Sequence, residues 1–140
     1  MQAIFRSDHD RLIMLADGLV AEAQKGAEAD PGRLNQLRLG LSRTVADHSA
    51  AEDGLVQSCG RPAEDDAHLI ALNARYHDEL LNWRVALVRC HSEWPPLRIV
   101  ANSSEFLEEF TPIASALVER LRWEEEEFYP AVLGECIRIC

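Results

Sequence analysis

Within this 140-residue chain, His48 and Glu52 stand four apart in the stretch His-Ser-Ala-Ala-Glu. That spacing puts both side chains on one face of a helix. A neutral imidazole and a carboxylate so placed can hold a metal ion together, and a carboxylate buried alone would need a paired charge or a metal. Other polar groups fall on apolar periods. His9 is four from Phe5 and three from Leu12; His77 is seven from Ile70 and four from Leu81; Glu124 is three from Leu121 and four from Phe128. Arg120, four before Glu124, shares its face.

These groups need elements that bring them together. Gly and Pro cluster at Gly26–Gly32, Gly60–Pro62 and Pro95-Pro96, and the stretches between are rich in Ala, Leu, Glu and Arg, which favour helix. No hairpin signature separates β-branched runs, so no strand is expected. The first helix should span about residues 3–25. The second should start at Asp30-Pro31, a capping residue followed by proline at the first helical position, and end near Cys59-Gly60. The third should follow Pro62, with Glu64, Asp65 and Asp66 at its positive end, and reach Cys90. Trp94-Pro95-Pro96 then predicts an extended crossing. The fourth helix either restarts at Thr111-Pro112 or kinks there, and ends close to Tyr129-Pro130.

The apolar stripes are Phe5, Leu12, Ala16 and Leu19; Leu34, Leu37, Leu41, Val45 and Leu55; Ile70, Ala74, Leu81, Val85 and Val88; and Ile113, Leu117, Leu121 and Phe128. Four amphipathic helices joined by short connections predict a single all-α domain over 1–140, an antiparallel up-down four-helix bundle. In such a bundle, residues equidistant from a connecting loop share one level. The midpoint of His9 and His48 is 28.5, that of His48 and His77 is 62.5, and that of His77 and Glu124 is 100.5, all at or beside the breaks. His9, His48, Glu52, His77 and Glu124 should therefore meet in one layer. Imidazoles with carboxylates suit iron, manganese or zinc, whereas an all-oxygen calcium site or a thiolate site is disfavoured.

With these residues in view, the sequence resembles the hemerythrin-like, or HHE cation-binding, family. The matching elements are Asp8-His9-Asp10, His48 to Glu52-Asp53, Tyr76-His77-Asp78-Glu79-Leu80, and Arg120 to Glu124 followed by Phe128-Tyr129-Pro130, spread over about residues 3–133. The resemblance implies one or two non-haem irons, or another divalent metal, bridged by Glu52 and Glu124 with His9, His48 and His77 as terminal ligands. It implies oxygen binding, iron or oxygen sensing, or NO and redox responses; a redox enzyme using the same metal is a further alternative, for which no flavin motif is visible. The chain departs from the family at Arg120, where a histidine is expected, because a guanidinium neither deprotonates nor ligates. Three outcomes follow. One metal is held by His9, His48, Glu52 and Glu124, with His77 weakly supporting a second; or Arg120 lies between Glu52 and Glu124 and replaces the metal, leaving an interaction or regulatory module; or Arg120 reaches the rim and Glu119 turns inward.

Composition narrows the partners. The formal net charge of -10 argues against nucleic acid and against an anionic membrane surface. No segment approaches the ~20 apolar residues of a membrane span. The N-terminus turns polar too soon for a secretory signal, so the cytoplasm is the expected compartment. Cys59, Cys90, Cys136 and Cys140 form no CxxC pair and read as free thiols, with Cys136 and Cys140 able to share a helix face. No phosphate loop or Ser/His/Asp arrangement is present. A protein partner or a homodimer stays open.

Overall fold

The computed structural model describes residues 3–61 and 65–134 of the chain. Every regular element among them is helical: α1 (Ala3–Ala23), a 3-10 turn (Gly26–Glu28), α2 (Pro31–Cys59), α3 (Ala67–Glu93), α4 (Pro96–Ala101), α5 (Ser103–Trp123), a π-helical turn (Glu124–Phe128) and α6 (Tyr129–Val132). Cys136 and Cys140, as well as Pro62 and Glu64, lie outside the described residues.

The start signals act as their chemistry dictates. Asp30 caps α2 by accepting from the Gly32 amide at 2.9 Å, and Pro31 takes the first helical position, where a missing N–H costs nothing. Buried Glu22 accepts from the Asp30 amide at 3.0 Å and so ties the end of α1 to the start of α2. Asp66 caps α3 through the His68 and Leu69 amides. The Pro-Pro crossing is shorter than expected: Pro96 opens α4 at once. Pro112 lies inside an unbroken α5.

α1 packs along α2 and α5, and α3 packs along α5. Gly18 and Gly40 permit a close approach of α1 to α2, since an added Cβ would lie 3.0 Å from a Leu37 methyl and 3.1 Å from a Leu15 methyl, respectively. Two apolar clusters result. The larger, mostly aliphatic, includes Leu12, Leu19, Leu34, Leu41, Leu87, Leu117 and Leu121. The smaller is aromatic, with Phe5, Tyr76, Trp123, Phe128 and Tyr129 beside Leu69, Leu72 and Val132.

Three of the four expected stripes face inward; that of α3 does not. Ile70, Leu81, Val85 and Val88 are exposed, Leu81 and Val88 by 64% and 67%. The helix instead buries Leu69, Leu72, Tyr76, Leu87 and Cys90. A shift of one residue turns a helix by about 100°, and the bulkier set, with Tyr76 and half-buried Trp83, removes more carbon from water. Cys90 is a buried free thiol whose pKa burial pushes up to about 12.

Candidate metal centre

His9 from α1, His48 and Glu52 from α2, and Glu124 at the end of α5 are all buried at the junction of the two clusters. One ligand atom from each lies within 4.8 Å of every other, so this group could hold a metal ion. Donors opposed across a transition metal stand about 4–4.4 Å apart, so a small contraction would suffice.

The contacts are polarised. His48 Nδ1 faces Asp8 at 3.1 Å, and His9 Nδ1 faces Glu125 at 2.8 Å. Each Nε2 is thereby turned to the centre, the arrangement by which an outer carboxylate orients a ligating imidazole. His9 Nε2 lies 3.1 Å from the Tyr129 hydroxyl and 3.4 Å from Glu124 Oε1. His48 Nε2 lies 3.2 Å from Glu52 Oε2 and 3.7 Å from Glu124 Oε1, yet it is buried and aligned for a hydrogen bond with neither.

Tyr129 enters because the backbone widens. In a regular α-helix, residues five apart point about 140° away from each other. The π turn from Glu124 to Phe128 brings Tyr129 back under Glu124, and its hydroxyl bonds Glu124 Oε1 at 2.9 Å and also Glu52 Oε2. Burial raises the pKa of Glu52, partly opposed by its contact with His48. Burial acts the same way on Glu124, but its contacts with His48, His9 and Glu52 and the charge of Arg120 hold it well below the carboxylate range. For His48, burial opposes the imidazolium, but Glu124 and Glu52 outweigh it and push the pKa up to about 10.

Arg120 is buried, not at the rim. Its Nε donates to Glu124 Oε2 at 2.7 Å and its Nη2 to the Tyr76 carbonyl at 2.9 Å. It pairs with Glu124 and not with Glu52, so it does not sit between the two carboxylates. Glu119 is exposed and takes no part. His77 lies outside this group of donors: it is exposed, edge-on to the Tyr76 ring at 4.9 Å, because the buried face of α3 runs through Tyr76. Tyr76 donates from its hydroxyl to Asp53 of α2 and stacks on Phe128 at 4.5 Å.

Asp8, Glu125, Tyr76 and Tyr129 are the participants that spacing alone missed. Tyr76 was marked by its place in a run at helical spacing, Leu69, Leu72, Tyr76, Leu80, Trp83, Leu87 and Cys90. Tyr129 carried no such signal. Beside the centre lies a cavity of about 20 Å³, lined by Leu12, Val45, Leu80, Trp83, Leu117 and Leu121 together with Ser49, Arg120 and the centre's own residues. It suffices for one water-sized guest. No family model matches the chain, and no curated protein or solved structure matches it either.

Proposed function

We propose that this chain is a metal-binding module of the hemerythrin-like kind, with α1, α2, α3 and α5 forming an antiparallel up-down bundle around a non-haem iron held by His9, His48, Glu52 and Glu124. The single observation that carries the reading is the convergence of buried His9, His48, Glu52 and Glu124, each offering a ligand atom within 4.8 Å of every other. Two imidazoles and two carboxylates form the mixed nitrogen–oxygen set that iron, manganese and zinc accept. A bound iron would supply an open coordination position for a diatomic such as O2 or NO. The protein's share is to keep that position dry: Phe5 packs edge-on against His48 at 5.2 Å, and leucines with Trp83 wall the cavity. Asp8 and Glu125 fix the rings. The same site would report iron supply if loading rather than a diatomic is the signal, and the cytoplasm is the compartment that suits either role.

Elemental analysis after anaerobic loading with Fe(II) tests this. About one iron per chain, lost in His48→Ala, is expected; less than ~0.2 per chain overturns the reading, because folded donor sets of this kind load to stoichiometry. One observation favours a second reading. Arg120 already neutralises Glu124, and Tyr129 bridges Glu52 and Glu124, so the same contacts suit a metal-free bundle serving as an interaction module. An empty protein that stays folded and unaltered by any divalent ion would establish that alternative.

A further inference from the structure

Glu124 faces two ways. Its Oε1 looks to His9, His48 and Tyr129, while its Oε2 accepts from Arg120. It is thus a bridging carboxylate with one side open to an exchangeable cation and the other closed by a guanidinium. We propose that Arg120 is the permanent second cation of this centre: it limits the site to one metal ion and holds Glu124 aimed when that ion is absent. The inference rests on the metal-binding reading above.

Several features separate this contact from an ordinary i,i+4 ion pair, which is worth little at a surface. Arg120 is only 8% exposed. Its Nη2 and Nη1 donate to the main-chain carbonyls of Tyr76 and Arg75, at 2.9 and 3.4 Å, so α3 holds the guanidinium whether or not Glu124 is engaged. The Tyr76 and Trp123 rings lie 5.0 and 4.9 Å from its central carbon. A guanidinium cannot be titrated away or ligate a metal. The oxygen donors on that flank, Glu79, Asn82 and Glu119, are exposed side chains lining an open pocket outside Arg120, and His77 is exposed as well. A second ion would have to evict Arg120 before it could reach the centre.

Removing the charge should strengthen binding at the remaining position. A divalent ion at that position is repelled by the neighbouring guanidinium, so losing its charge favours the ion. The test is an anaerobic Fe(II) titration of the full chain and of Arg120→Gln, read as iron per chain, dissociation constant and thermal midpoint with and without metal. Wild type should saturate at one iron. Arg120→Gln should bind iron at least about tenfold more tightly, melt lower than wild type when empty, and gain more from iron. Arg120→Lys, which keeps the charge, should stay near wild type in affinity. Two irons on the wild type, or equal affinities in wild type and Arg120→Gln, overturn the assignment while leaving metal binding standing. No iron on either protein overturns both. If Arg120→Gln folds only with iron present, the ion is replacing the lost charge, as proposed; if it folds under neither condition, the exchange of one cation for the other is refuted.

Discussion

On the α1–α2 side of the centre, nitrogen and oxygen donors face inward and carboxylates outside them set their direction: Asp8 behind His48 and Glu125 behind His9. On the α3–α5 side, the inward groups are a guanidinium and the Tyr76 and Trp123 rings that flank it. In the proposed reading, one wall exchanges its cation and the other does not. Glu124 belongs to both, which is why a substitution there should be felt as stability and as affinity together. The contrast teaches that a helix can stand at the level of a buried donor group while offering aromatic carbon and main-chain acceptors instead of a donor side chain.

Four measurements bear on the two walls. The largest effect is expected from Glu124→Ala, which leaves Arg120 buried without its counter-charge; urea unfolding should show a loss of about 3–5 kcal/mol, and metal binding should vanish with it. Next comes Asp8→Asn, which spares every ligand but releases the His48 ring. Its iron affinity should fall about 10–100-fold with little change in the unfolding midpoint. Third is pH. Because the folded protein raises the His48 pKa to about 10, that residue favours folding of the empty form at low pH, and the contribution is lost as pH rises through about 10. A metal needs the neutral ring, so its apparent affinity should climb about tenfold per pH unit through neutrality, where an unperturbed histidine would level off above about pH 7. The smallest effect belongs to His77→Ala, which should leave iron content unchanged and shift stability by less than about 0.5 kcal/mol; loss of iron there would return α3 to the ligand-bearing side.

Much of the α1–α2 wall was legible in the sequence, and the reason is local. Asp30-Pro31 announces where α2 starts, the four-residue spacing of His48 and Glu52 fixes a common face, and His9 sits in a stripe with no rival. The level of α3 was legible too, since Tyr76 adjoins the residue expected at that height. Its rotation was not. α3 carries two apolar stripes one residue apart, and only packing against the rest of the protein chooses between Leu69–Leu72–Tyr76 and Ile70–Ala74–His77. The inward turn of Arg120 follows its apolar period, but its pairing with Glu124 alone depends on where the α3 carbonyls lie. Tyr129 was hidden for another reason: periodicity assumes regular turns, and the turn after Glu124 is not regular.

That wide turn makes the centre depend on a count of residues. Inserting one residue beside the exposed Glu126 or Glu127 would put the tyrosine six beyond Glu124, and everything after it would swing by about 100°. Glu124 would keep its place while the phenol left it, taking Val132 and Leu133 out of the aromatic cluster. Deleting one would instead leave the tyrosine four beyond Glu124, still beneath it in an ordinary helix. Substitution of Glu126 or Glu127 is cheap and so is their shortening by one, but lengthening this stretch is not.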